Sequence, residues 1–153
     1  MQICGYYALT NRYDTVFYMN FEDILKPGLE ARKTDTVTER TIASSWGSGG
    51  LDVYATPAMI ALMEMTAHSA VDPLLPQGWS TVGTELNIKH ISATPKGMEV
   101  SARAELLSVN GRLLVFKVEA FDEAGKIGEG IHSRFIVENE RFKAKTESKT
   151  KEK

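Results

Sequence analysis

The apolar residues of this chain change their spacing once, from a helical period to an alternating one. Residues 57–71 are apolar on nearly every side and include a single carboxylate, Glu64, which is typical of a helix enclosed by other elements. Thr56 is a favourable N-cap residue, and Pro57 suits the first helical position because its nitrogen carries no hydrogen that needs a partner. We therefore predict a helix that begins at Thr56–Pro57 and ends near Val71.

From Trp79 onward the period is two, which predicts β-strands. The alternation indicates strands at residues 79–91, 98–110, 112–122 and 126–138, after a first extended segment at 30–38. Asn110-Gly111 supplies the two-residue turn of a hairpin. The core face of the first strand in this run is expected to carry Val82, Thr84, Leu86, Ile88 and His90. One helix between a first strand and an antiparallel meander predicts an α+β fold.

Length and composition indicate one globular domain. The chain has 153 residues, of which 42% are hydrophobic and 25% charged, enough for a single core. We expect this domain at residues 21–142. Residues 1–20 form an N-terminal extension of uncertain status, in which Met19 offers an alternative start. The lysine-rich residues 143–153 have no apolar period and are predicted to be a disordered tail.

Charge and cysteine content exclude several classes of function. A net charge of −2 argues against a nucleic-acid-binding protein, and the single cysteine, Cys4, excludes an internal disulfide. No stretch reaches the roughly 20 apolar residues of a membrane helix, and no signal peptide is evident, so we expect a cytoplasmic protein without membrane contact. The histidines and Glu64 lack the usual zinc spacings, and we predict neither a metal site nor a cofactor.

Glu64 needs an explanation, because a carboxylate among apolar neighbours loses hydration at a cost of several kcal/mol, roughly. It is either a core carboxylate held by hydrogen bonds or by His68, or a reactive group. Eight helical residues separate it from Thr56, which corresponds to about 12 Å of rise and about 80° of rotation. The two side chains therefore cannot touch within one subunit. A shared site requires either an extended substrate or residues from both chains of a dimer.

Several segments together resemble the fluoroacetyl-CoA thioesterase family of hotdog proteins over residues 25–142. The resemblance implies the hotdog fold, in which a curved antiparallel sheet wraps one long helix, and hydrolysis of an acyl-CoA thioester to the free acid and CoA. The segments are Gly49-Gly-Leu-Asp-Val-Tyr-Ala-Thr-Pro-Ala-Met-Ile-Ala-Leu-Met-Glu64, Thr81-Val-Gly-Thr84, Asn87-Ile-Lys-His90, Thr94-Pro-Lys-Gly97 and Gly128-Glu-Gly-Ile-His-Ser-Arg134.

The same resemblance implies roles for individual residues. Thr56, Glu64 and His90 occupy the catalytic positions, with Glu64 as base or nucleophile, and Gly83 matches a glycine of the acyl pocket. We expect Met59, Met63 and Trp79 to line that pocket as well. Arg134 is expected either to bind a CoA phosphate or to pair with a carboxylate.

Other interpretations of these residues stay open. Thr56 serves equally well as a simple N-cap, His90 as a core or interface histidine, and His132 as a structural residue. A hotdog enoyl-CoA hydratase and a non-catalytic acyl-CoA-binding module are the alternative functions. Since a single curved sheet leaves an exposed edge, we expect at least a homodimer.

Overall fold

The computed structural model describes residues 6–11 and 14–150, with side-chain environments from Met19 onward. Residues 1–5, which include Cys4, and residues 151–153 lie outside this description. The elements are β1 (Tyr6–Asn11), β2 (Asp14–Met19), α1 (Phe21–Ile24), β3 (Glu30–Thr36), α2 (Ala43–Trp46), α3 (Thr56–Val71), a 3-10 turn (Asp72–Leu74), β4 (Trp79–His90), β5 (Glu99–Asn110), β6 (Leu113–Asp122), β7 (Gly125–Glu138) and α4 (Asn139–Ser148).

A five-stranded antiparallel sheet packs on the long helix α3. The strand order is β3-β5-β6-β7-β4, and the helix contacts β3, β4, β5 and β6. The inner face of β5 alternates as predicted, and its small residues let the helix approach closely. Fully or almost fully buried on that face are Val100, Ala102, Ala104 and Leu106. This is the predicted arrangement of one long helix and an antiparallel sheet.

The position of β4 differs from a simple continuous meander. Only β5, β6 and β7 follow one another in space, whereas β4 pairs with β7. As a result β3 and β4 form the two edges of the sheet. Among the strands that the structure describes, each edge strand pairs on one side only, so these edges are where a second chain could add to the sheet.

A β-bulge changes which residues of β4 face the helix. The register with β7 shifts between Gly83 and Glu85, which leaves Thr84 as an extra residue. Before the bulge, Thr81 and Gly83 lie on the inner face. After it, the even-numbered residues from 86 to 90 take that face. The prediction is thus correct for Leu86, Ile88 and His90 and wrong for Val82 and Thr84, because a strict period of two cannot detect an inserted residue.

The two ends of the chain contain structure that the sequence did not predict. Strands β1 and β2 pair as a separate two-stranded sheet within the expected extension. Helix α4 covers residues 139–148, so the prediction of disorder is wrong for residues 143–148. Helix-favouring Glu, Lys and Ala residues explain it, together with a Lys143–Glu147 pair at 4.0 Å. None of the described helices is both long and apolar enough to span a bilayer.

Candidate active site

The first part of the candidate site joins the start of α3 to the end of β4. The Oγ1 atom of Thr56 lies 2.8 Å from Nδ1 of His90. Thr56 is the first helical residue, and Ala55 occupies the N-cap position without a side-chain cap. The N-cap role predicted for Thr56 is therefore wrong, and its hydroxyl contacts His90 instead.

The environment of His90 favours a neutral imidazole. Its Nε2 atom is buried and has no hydrogen-bond partner among the residues described. Burial lowers the pKa of His90, and a backbone hydrogen bond at Ser92 opposes this effect only in part. A neutral ring at physiological pH can exchange a proton with the Thr56 hydroxyl or with a bound water.

A cavity of about 440 Å³ adjoins this pair. Its walls are the glycine-containing loop 48–51, Tyr54, and residues 90–93 after β4. Because it lies at the start of α3, unpaired backbone amides and the positive end of the helix dipole are near it. Such an environment favours an oxygen that gains negative charge during attack on a carbonyl.

The second part of the candidate site surrounds Glu64, in the middle of α3. Its side chain is 38% exposed, so the predicted enclosure by apolar neighbours is wrong within one chain. The sheet leaves this flank of the helix open, and Glu64 lines a second cavity of about 430 Å³ with Gly83 and Arg134. His68 does not satisfy Glu64, because its Nε2 lies 3.1 Å from Asp72 instead.

Two buried basic residues on β7 face the Glu64 carboxylate. Glu64 Oε1 lies 3.8 Å from Nε2 of His132 and 4.0 Å from Nη1 of Arg134. The guanidinium is fixed by Thr81, to which Nε and Nη2 donate at 2.9 Å each. Arg134 therefore lies opposite a carboxylate, as one of its two predicted roles requires. Its other predicted role, binding of a CoA phosphate, stays a prediction.

His132 is a site residue whose importance sequence reasoning missed. It is fully buried, and its Nδ1 donates to the Glu85 carbonyl at 2.8 Å. Its Nε2 then accepts from Arg134 Nη1 at 3.2 Å. Burial first, and also the charge of Arg134, lower the pKa of His132, while the Glu85 carbonyl and Glu64 oppose this shift. The alternation of β7 placed His132 with Arg134, but the hydrogen bond to the Glu85 carbonyl, which lies beside the bulge, has no signal in the sequence.

Gly83 lies directly against the Glu64 carboxylate. A β-carbon at this position would lie 2.5 Å from Glu64 Oε1 and 3.2 Å from Cε1 of His132. Any larger residue must therefore displace the carboxylate or the ring. The absence of a side chain at Gly83 allows Glu64 to lie against β4.

The three residues predicted to line the acyl pocket, Met59, Met63 and Trp79, border neither of the two cavities. Met59 and Met63 are fully buried in the core. Trp79 packs edge-on against Phe21 at a centroid distance of 5.1 Å, with Arg112 4.8 Å above its ring. The role of the two methionines in an acyl pocket stays a prediction.

Within one chain the predicted catalytic residues form two separate groups. Thr56 and His90 share the first cavity, and Glu64 borders the second with Gly83. In the part of the chain that the structure describes, no three His, Cys, Asp or Glu side chains are placed to hold a metal ion. The chemistry available is that of a hydroxyl, an imidazole, a carboxylate and helix amides.

Comparison with known proteins places this geometry in a family. Residues 37–140 match the sequence model of the fluoroacetyl-CoA-specific thioesterase family. The fluoroacetyl-CoA thioesterase of Streptantibioticus cattleyicolor is 41% identical over 99 residues, which cover 65% of this chain and 71% of that enzyme.

Solved structures agree with this assignment and confirm the hotdog fold. A variant of the fluoroacetyl-CoA enzyme in complex with acetyl-CoA is 32% identical, with a TM-score of 0.78 over 82% of this chain and 99% of its own. A hot-dog-like protein from Thermanaerovibrio acidaminovorans, at 21% identity, has a TM-score of 0.79 over 86% of this chain and 97% of its own. This chain belongs to the fluoroacetyl-CoA-specific thioesterase family, whose members are hotdog-fold thioester hydrolases.

Proposed function

We propose that this thioester hydrolase cleaves short acyl-CoA esters at a site composed of residues from two protomers. The observation that supports it is the division of the catalytic residues between two cavities of one chain. About 12 Å of helix separates Thr56 from Glu64. A relative has been solved with acetyl-CoA, which supports a short acyl-CoA as the substrate class here.

The open edge of the sheet offers a way to bring the two groups together. Residues 83–87 of β4 are exposed, and Leu86 is 40% and Met65 50% exposed beside them. A second chain running antiparallel along β4 would cover these apolar side chains and the free strand edge. Such antiparallel pairing would bring the Glu64–Gly83 group of one protomer toward the end of β4 in the other, where His90 of the partner subunit lies.

In this arrangement each residue has a distinct task. The thioester carbonyl lies at the start of α3, where the amides and the Thr56 hydroxyl stabilise the developing oxyanion. Glu64, contributed by the other protomer, either takes a proton from the water that attacks the carbonyl carbon or attacks that carbon itself. In both cases the C–S bond breaks and CoA leaves as the thiol; in the second case water then hydrolyses the acyl-glutamyl anhydride. Neutral His90 accepts or returns a proton through Nδ1, which contacts the Thr56 hydroxyl. Acid–base assistance of this kind contributes about 10²- to 10⁴-fold to the rate.

The experiment is an assay of free thiol with acetyl-, fluoroacetyl-, butyryl- and crotonyl-CoA. Glu64→Gln should lower kcat by about 10²- to 10⁴-fold. The unfolding temperature should stay unchanged, because the carboxylate is partly exposed and has no neighbour closer than 3.8 Å among its ion pairs. Glu140→Gln, on exposed α4, is the matched control.

Three outcomes contradict the proposal. Full turnover by Glu64→Gln removes that carboxylate from the mechanism. Loss of the crotonyl double bond without release of thiol indicates a hydratase. Binding of CoA esters with neither change indicates a binding module.

A further inference from the structure

We propose that the cavity beside Glu64 selects acyl groups that end in a carboxylate, and that Lys33 binds that carboxylate. This inference rests on the proposed function, since it assigns the acyl group to the cavity that contains Glu64. It names a substrate class, the monothioesters of short dicarboxylic acids. Three observations support it: the position of Lys33, the charge balance of the cavity and the closed core behind it.

Lys33 lies on the inner side of the sheet. It pairs with Ala102 of β5, which is fully buried against the helix. Because directly paired residues of antiparallel strands share a face, Lys33 lies on the same face as Ala102. The Lys33 side chain is exposed and lines the second cavity together with Glu64, Gly83 and Arg134. An ammonium group therefore borders the space next to the reactive carboxylate.

The charges of this cavity leave one cation without a counter-charge. Arg134 faces Glu64 at 4.0 Å, and His68 faces Asp72 at 3.1 Å. Within residues 19–150, Lys33 has no carboxylate within 4.0 Å. Lys26, Lys89, Lys145 and Lys149 also lack a carboxylate partner among the described residues, but of these five lysines only Lys33 borders this cavity. A ligand with one negative charge at its end would complete the balance.

The polarity of the cavity wall argues against a long alkyl chain. Lys33, Ser69 and Arg134 supply polar groups to its wall, and Met65 is the one large apolar side chain there. The apolar core behind it is filled, since Met59 and Met63 are fully buried. An extended alkyl chain would have to displace that core. A short chain with a polar end fits the existing space.

The test compares substrates of equal chain length. The purified full chain is assayed for thiol release from succinyl-CoA against butyryl-CoA, and from glutaryl-CoA against pentanoyl-CoA. The wild type should prefer the carboxylated ester by about tenfold or more in kcat/KM, the effect of one specific ionic contact. Lys33→Ala should lower this preference about tenfold, and Lys33→Glu should reverse it. Lys143→Ala, on exposed α4, should keep the wild-type preference.

The outcomes separate this inference from the proposed function. Glu64-dependent hydrolysis with no preference for carboxylated esters, or a preference that Lys33→Glu leaves intact, overturns the inference alone. If no ester is cleaved, the affinities for glutarate and pentanoate, measured by calorimetry, still test the inference. Tighter binding of glutarate that Lys33→Glu abolishes supports the inference, and equal binding overturns it.

Discussion

The hydroxyl of Thr56 and Nδ1 of His90 lie 2.8 Å apart, although 34 positions separate these residues in the chain. The contact joins the first residue of the central helix to the last residue of an edge strand. It places a polarisable hydroxyl and a neutral imidazole beside the helix amides. Glu64, the third member of the predicted catalytic set, borders a different cavity of the same chain.

Substitution of Thr56 should affect activity more than stability. Because Thr56 does not cap the helix through its side chain, Thr56→Val should change the free energy of unfolding by only about 0.5 kcal/mol. It removes the hydroxyl that contacts His90, so kcat should fall at least about tenfold. Thr56→Ser keeps the hydroxyl and should retain most of the activity. Equal activity of the Val and Ser variants would exclude a role for the hydroxyl.

The histidines predict the direction of the pH dependence. Burial lowers the pKa of His90 and of His132 below their ordinary value of 6.5. If neutral His90 is the active form, kcat/KM should rise with pH through this lowered pKa, so that the midpoint of the acidic limb lies below pH 6.5. An acidic limb centred well above pH 6.5 would contradict the assignment.

The same two histidines predict how stability depends on pH. Between each lowered pKa and 6.5 the unfolded chain binds more protons than the folded one. The free energy of unfolding should therefore rise with pH across this window. The same contribution to stability should be lost as the pH falls through the window. His132→Gln should flatten the dependence, which urea unfolding at a series of pH values measures. If the free energy of unfolding of the wild type, taken relative to that of His132→Gln, falls as the pH rises from 5 to 6.5, the prediction is contradicted.

Addition of a single methyl group at Gly83 should lower the activity. A β-carbon there meets Glu64 Oε1 at 2.5 Å, so Gly83→Ala must push the carboxylate aside. The end of a partly exposed side chain moves easily, and we expect a small change in unfolding temperature. Displacement of a reactive group by about 1 Å can cost about 10²-fold in rate. Wild-type kcat in Gly83→Ala, measured by thiol release, would mean that the Glu64 position is not critical.

Thr94 connects the two segments that carry the Thr56–His90 pair. Its hydroxyl donates to Asp122 at 2.7 Å, and its carbonyl accepts from the Tyr54 amide at 2.8 Å. Thr94→Val fills the same space without the hydroxyl, so it should cost about 1 kcal/mol of unfolding free energy and lower kcat more than it raises KM. Thr94→Ser should restore both. A loss of stability with unchanged kcat would limit Thr94 to a structural role.

The sequence could predict the elements that depend on local pattern. The helix ends at Val71 as expected, and the alternation of β5 correctly identified its buried face. Both follow from periods that the backbone imposes on side chains. The hairpin after β5 was predicted in the correct place but one residue early, because Asn110 still pairs with Leu113 and the two turn residues are Gly111 and Arg112, with Gly111 at φ 57°.

The parts that could not be predicted depend on contacts distant in sequence. The bulge at Thr84 inserts one residue into an otherwise regular alternation. The open flank beside Glu64 exists because the sheet stops at β4, so the carboxylate is partly exposed despite its apolar neighbours in sequence. The contacts of His132 join β7 to the Glu85 carbonyl beside that bulge and to the Glu64 side chain on the helix, which are distant from it in sequence.

Complementation between two inactive variants tests the composite site most directly. His90→Ala and Glu64→Gln chains are purified separately, mixed, dissociated and reassociated, and then assayed for thiol release. If Thr56 and His90 of one protomer work with Glu64 of its partner, each mixed dimer contains one site with both residues intact. Activity should then recover toward about a quarter of the wild-type value at equal mixing, since half of the dimers are mixed. Activity that stays at the level of the separate variants, although mass spectrometry detects mixed dimers, would contradict a site shared by two protomers.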